Sequence, residues 1–316
     1  MSGNSGNQPT IGLALGSGAA RGWAHIGVIH ALKEAGIEPG MVAGCSMGAL
    51  VGSGYAGGSL DRLEEWVRGI RSLDVMRLLD IRFGGGLIEG DTLMKSLQKQ
   101  VEPVDIESLD IPFAAVATDL EAGREVWLRE GSLMQAVRAS IAVPGLMSPV
   151  RSEGRWLVDG GLTDPVPVSL CRALGADIVI AVNLNSDLVG RHVRDVRGAA
   201  RHDTHNESGM RKWLDSVDER FLDGRVGKWL EERDHGEDPP GMLDVMAGSI
   251  NIMQDRITRS RMAGDPPELL ISPKLARVGL LEFERADEAI KAGYEAACRA
   301  LEGTDLVPED WHPQSP

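Results

Sequence analysis

The chain has 316 residues, 42% of them hydrophobic and 25% charged, with a formal net charge of -14. That length buries a substantial core as one large α/β domain or two smaller ones, and the composition is ordinary for a globular protein. The acidic balance opposes general affinity for nucleic acid and for anionic lipid headgroups, no stretch reaches the length of a membrane span, and Cys45, Cys171 and Cys298 are too few and scattered for a disulfide framework or a metal site.

Residues 1–9 are rich in Ser, Gly and Asn, without a basic start or an apolar run, so the expectation is a disordered lead-in rather than a secretion signal, on a cytoplasmic protein. Thr10 to Leu15 reads as a compact strand and Gly16 to Gly22 as a glycine-rich loop. Ala24, Val28, Ala31, Leu32 and Ala35 then recur at helical spacing. Gly36 closes that helix and Met41 to Ala43 opens a second strand, which completes a βαβ unit. A right-handed crossover makes the two strands parallel, so the loops that follow them leave the same, carboxyl edge of the sheet. If the strands are also adjacent, those loops are neighbours.

Helices are expected at 60–71 and 91–101, around a glycine-rich apolar stretch from Val75 to Ile88 that reads either as a loop packing on the core or as a lid or acyl-chain wall. Strands follow at 112–118, 125–128 and 156–158, with a helix at 131–142 between them, then a helix at 165–174 and an apolar strand at 178–183. Residues 187–240 are rich in Arg, Asp, Glu and His, and read as a mobile insertion with short helices around Trp213 and Trp229. A helix at 241–263, a strand at 269–271 and a helix at 282–301 complete the domain before a frayed tail from 304 to 316. Strands alternating with helices imply an α/β sheet covered on both faces.

Gly44-Cys45-Ser46-Met47-Gly48 joins the second strand to an apolar helix beginning at Ala49. A glycine on either side of Ser46 lets strand and helix pack closely around a serine held on a strained turn. A serine hydroxyl needs a base to take its proton, and the oxyanion formed on attack needs donors aimed at it. The Gly16–Gly22 loop supplies backbone N–H groups at the start of a helix. Arg21 sits there against the helix macrodipole, either bracing the loop by hydrogen-bonding carbonyls or pointing to solvent. A dinucleotide fingerprint is opposed by Arg21 standing where the third glycine is required.

For the base, His25 and His30 lie on the first helix, where a structural role is the simpler reading. His192, His202, His205 and His235 fall in the charged insertion, and His312 in the tail. Ser46, Asp159 and His202 or His205 would make a triad, but a mobile insertion is a poor support for a base. The alternative is Asp159 itself, at the end of a strand and followed by Gly160 and Gly161, which let the backbone turn away. Its reference pKa near 3.9 requires desolvation, or proton transfer concerted with attack, before it can serve. A plain turn aspartate is the competing reading.

Leu15-Gly16-Ser17-Gly18-Ala19-Ala20-Arg21-Gly22 with His25-Ile26-Gly27-Val28, then Gly44 to Gly48, then Asp159-Gly160-Gly161, resemble the patatin-like phospholipases, most nearly the bacterial RssA-like subgroup. Ala139-Ser140 with Pro144 and the run Arg261 to Pro267 extend the likeness, which spans roughly residues 10 to 300 in order. The resemblance implies a three-layer α/β sandwich with a central, mostly parallel sheet over residues 10–303. It implies a Ser46–Asp159 dyad with Ser46 as acyl-accepting nucleophile, and an oxyanion hole at Gly16, Ser17, Gly18 and Ala19. Arg21, Gly22, Gly44, Gly48, Gly160 and Gly161 would support the loop and elbow. No metal or organic cofactor is expected. The implied activity is hydrolysis of lipid or other esters, of phospholipase A or lysophospholipase type, with any membrane contact apolar and transient through the stretch from Val75 to Ile88, and no nucleic-acid partner. The family loop often has glycine where this chain has Ser17 and Ala19, which restricts positive φ there. That departure and the charged insertion motivate an alternative, a low-turnover regulatory or scaffolding protein on the same fold.

Overall fold

The computed structural model describes residues 9–72, 74–75, 91–187, 242–308 and 311–313. The stretch 76–88, the insertion beyond Asp187 with its four histidines, and residues 1–8 lie outside the described residues.

The sheet is built from β1 (Ile11–Leu15), β2 (Met41–Cys45), β3 (Phe113–Asp119), β4 (Arg124–Leu128), β5 (Val150–Ser152), β6 (Arg155–Asp159), β7 (Ile178–Val182) and β8 (Leu269–Ile271). Its order is β5-β6-β3-β2-β1-β7-β8, with β4 on the other edge of β3. The pairs β2–β3, β1–β2, β1–β7 and β7–β8 are parallel; those joining β3 to β4, β3 to β6 and β5 to β6 are antiparallel. Successive residues of each central strand serve opposite faces. Leu13, Leu15 and Val42 enter an apolar cluster with helices α1 (Ala24–Glu34), α2 (Met47–Ala56), α3 (Leu60–Arg68) and α8 (Ala286–Leu301). Ala14, Met41 and Ala43 enter the opposite cluster, with α6 (Val168–Ala173) and Met262 of α7 (Met242–Gly264). The result is the expected helix–sheet–helix sandwich, and all seven residues of β3 are buried within it.

Two glycines bring α1 and α8 into backbone contact. A Cβ on Gly27 would run into the Ile290 carbonyl, and one on Gly293 into the Ala24 carbonyl. That crossing anchors the helix leaving the glycine-rich loop. Two helices, α4 (Asp91–Leu97) and α5 (Leu133–Ser140), precede and follow β3 and β4.

Several helices are shorter than the sequence expectations, the one expected over 91–101 ending at Leu97 and the one expected from 282 beginning at Ala286, and two further departures have a local cause. The helix expected from 165 begins at Val168, because Pro165-Val166-Pro167 follows a 3-10 turn at Gly160–Leu162 and Pro167 serves as its N-cap. An unforeseen strand, β5, pairs with β6 across a two-residue turn in which Glu153 and Gly154 have φ of 49° and 80°. Glutamate is an unusual residue for such a turn, where Asn or Asp ordinarily precedes the glycine.

Candidate active site

Ser46 stands between β2 and α2 with φ 54° and ψ -121°, a conformation costly for any residue with a side chain. Space, not conformation, requires its flanking glycines. A Cβ on Gly44 would overlap the Ala49 backbone, and one on Gly48 would run into the Leu15 carbonyl. The elbow is held by its neighbours: the Ser46 N–H donates to Ser140 Oγ at 2.8 Å, and the Ser140 hydroxyl donates to the Val116 carbonyl at 2.6 Å. The Ser46 carbonyl accepts from the N–H groups of Ala49 and Leu50.

β2 and β6 share one edge of β3 and run toward each other along it. Cys45, the last residue of β2, pairs with Val116, and Asp159, the last of β6, pairs with the next residue, Ala117. The two strand ends therefore abut, and Ser46 Oγ donates to Asp159 Oδ2 at 2.6 Å. The other oxygen, Oδ1, accepts from the Gly161 N–H at 2.7 Å. The Asp159 backbone is fixed as well, its N–H donating to Ala142 and its carbonyl accepting from Thr118 Oγ1. Gly160 is required by close approach, since a Cβ there would meet the Val116 carbonyl. Ser46 and Asp159 are both buried, and burial pushes the carboxyl up to about 6 against the lowering effect of its bonds from Ser46 and Gly161.

Adjacent parallel β1 and β2 bring the glycine-rich loop beside this pair. A Cβ on Gly22 would strike the Met47 side chain, so loop and elbow are in direct contact. The four expected donors divide into two pairs. The Gly16 N–H donates to Val182 and that of Ser17 to Pro165, so neither is free to meet an oxyanion. Gly18 and Ala19 have no acceptor for their N–H groups among the described residues. Ala19 holds φ 48° despite its side chain. His25 is fully buried and bonds the Gly16 carbonyl through Nε2 at 2.7 Å, which makes that nitrogen the protonated one. Burial lowers its pKa to about 4, so the ring is neutral at ordinary pH. His30 bonds Glu64, far along α1, and the triad candidates His202 and His205 lie outside the described residues.

Arg21 does not point to solvent. It is 1% exposed and donates through Nη1 to Asn185 Oδ1 at 3.4 Å, a side-chain amide oxygen rather than a backbone carbonyl. Burial draws its pKa down to about 10, partly offset by Asp187, so it stays cationic. Asn185 Nδ2 in turn donates to Gln254 Oε1 at 2.9 Å, and Ser17 Oγ to the same oxygen at 3.0 Å. Ser140, Asn185 and Gln254 were not singled out as site residues from the sequence; only Ser140 carried a signal, as part of the run with Ala139 and Pro144. A second buried carboxyl, Asp164, is raised to about 7 by burial, with Arg261 3.7 Å away opposing the rise. Among the described residues no cluster of His, Cys, Asp and Glu can hold a metal ion, and no helix is long and apolar enough to cross a membrane.

Residues 13–172 match the family described as "Patatin-like phospholipase". An uncharacterized NTE family protein of Mycobacterium tuberculosis is 36% identical, with 95% of this chain and 93% of that protein covered. Lysophospholipase NTE1 of Pyricularia oryzae is 30% identical over 93% of this chain, which corresponds to 18% of the fungal protein. Human patatin-like phospholipase domain-containing protein 6 is 34% identical over 56% of this chain and 13% of its own length.

Proposed function

This chain belongs to the patatin-like phospholipase family, and we propose that it is a serine acyl hydrolase of lipid esters, of phospholipase A or lysophospholipase type, acting through an acyl-Ser46 intermediate with Asp159 as base. The observation that carries the reading is the 2.6 Å hydrogen bond from Ser46 Oγ to a buried carboxylate whose second oxygen is already engaged by Gly161. The Gly161 bond orients Asp159 so that Oδ2 alone faces the hydroxyl.

In this mechanism Asp159 takes the Ser46 proton as Oγ attacks the ester carbonyl. The carbonyl oxygen gains charge against the N–H groups of Gly18 and Ala19. Collapse breaks the bond to the alcohol, which leaves with the proton returned from Asp159. Water then attacks the acyl-serine, giving a proton to Asp159, and collapse breaks the bond to Ser46 Oγ, which takes that proton back as the fatty acid leaves. A carboxylate is a weak base for a hydroxyl; burial brings it nearer to the task by raising its pKa to about 6. The name of the fungal relative supports a lipid substrate. Of the two features behind the low-turnover alternative, the insertion lies outside the described residues, and the substituted loop keeps the N–H groups of Gly18 and Ala19 without an acceptor among them, Ala19 taking positive φ despite its side chain.

A panel of p-nitrophenyl esters and lysophospholipids, with Ser46→Ala as the blank, tests the reading. Turnover by the wild type and none by the variant is expected. Equal turnover by both, or none by the wild type on any ester, overturns it.

A further inference from the structure

α7 carries its polarity inside out near the site. Asn251, Gln254, Asp255 and Thr258, at helical spacing on one face, are buried, while Ile252 and Met253 are exposed. Buried polar side chains require partners, and Gln254 has them on one side only. Its Oε1 accepts two hydrogen bonds, from Ser17 Oγ and Asn185 Nδ2, while its Nε2 has no acceptor among the described residues.

The orientation of that carboxamide follows from chemistry. A guanidinium only donates. Arg21 therefore demands the oxygen of Asn185, which turns the Asn185 amide nitrogen toward Gln254. Gln254 must answer with its own oxygen, so its NH2 faces the other way, toward the dyad. A Cβ placed on Gly161 would overlap Gln254 Nε2 and would lie 2.9 Å from Asp159 Oδ1. The free donor thus flanks the turn that orients the carboxylate. One helical turn away, Asn251 is 4% exposed and its Nδ2 is buried without an acceptor among the described residues.

Resting on the acyl-hydrolase reading, we infer that Gln254 is a substrate-binding residue that donates to an oxygen on the alcohol side of the ester, and so favours esters of an oxygen-rich alcohol such as glycerol. The ester carbonyl already has donors in Gly18 and Ala19, and a hydrocarbon chain offers no acceptor. The alcohol is the part of the substrate that remains to answer an unpaired NH2. Two amide donors on one helix face, both without an acceptor among the described residues, suit an acceptor-rich ligand.

The test compares two substrates, 1-palmitoyl-lysophosphatidylcholine and p-nitrophenyl butyrate, in wild type, Gln254→Glu, Gln254→Met and Ser46→Ala. Glutamate keeps an acceptor for Ser17 and Asn185 but replaces the donor. The expected result is a fall of roughly 10- to 100-fold in the ratio of kcat/KM on the lysolipid to kcat/KM on the p-nitrophenyl ester, the effect of one lost buried hydrogen bond that only the lysolipid makes. Gln254→Met shows the same selectivity with a lower melting temperature. Equal losses on both substrates, no loss on either, or a wild type that cleaves only the p-nitrophenyl ester each overturn the inference. A Ser46→Ala variant as active as wild type instead overturns the acyl-hydrolase reading.

Discussion

Ser46 donates its hydroxyl proton to Asp159 across 113 residues of sequence because the strands that carry them meet end to end on one edge of β3. The pair is therefore set by strand register. A one-residue slip of β6 against β3 would turn the Asp159 side chain to the opposite face of the sheet.

The base must be ionised to act, and its pKa stands near 6 through burial. Activity should fall as pH drops through that value and level off above it. A kcat/KM profile across about pH 4 to 9 measures this limb. An acid limb near the ordinary carboxylate value, around 4, would mean that a solvent-exposed group serves as base. Asp164, buried nearby and raised to about 7, can add to the limb, and Asp164→Asn should leave the limb near 6 in place.

The same burial has a cost in stability. Folded Asp159 binds its proton more tightly than its ordinary value of 3.8 allows, so wild-type stability falls as pH rises from about 4 to about 6 and stays lowered above that window. Two pH units correspond to a penalty on the order of 3 kcal/mol at neutral pH. Asp159→Asn should remove turnover while raising the urea midpoint at pH 8, with a much smaller difference near pH 4. A variant less stable than wild type at pH 8 would contradict the assignment.

Ser140→Ala leaves the Ser46 N–H without its acceptor and the Val116 carbonyl without its donor, both in the buried interior. The expected cost is about 1–3 kcal/mol of stability. In addition kcat should drop more than KM rises, because the elbow rather than the binding surface loosens. Ser140→Thr, which keeps the hydroxyl, should restore most of both.

Ala19 pays for its left-handed backbone, φ 48°, with strain that glycine would not carry. Ala19→Gly should raise stability by on the order of 1 kcal/mol, less the entropy glycine adds to the unfolded chain. Its N–H donor is retained, so ester turnover should not fall. Thermal melting and a single-ester assay check both.

Much of this site was legible in the sequence. The βαβ unit, the glycine-flanked Ser46 and the strand-ending Asp159-Gly160-Gly161 are local patterns, and local patterns record close approach as glycine and strand ends as apolar runs. The division of the loop donors was not legible, because it depends on Val182 and Pro165 lying beside Gly16 and Ser17 in space. Gln254 left no local signal, since its partner Ser17 is 237 residues away. Arg21 reads as solvent-facing or carbonyl-bracing until Asn185 is seen to cover it. The β5–β6 hairpin was hidden by glutamate at a left-handed turn position.

The central claim is that Ser46 accepts the acyl group. Incubation with a fluorophosphonate, followed by peptide mass analysis, tests it most directly. The account predicts one adduct, on the peptide containing Cys45-Ser46-Met47, lost in Ser46→Ala. An enzyme that turns over esters yet carries no adduct at Ser46, or carries it on another residue, contradicts the account.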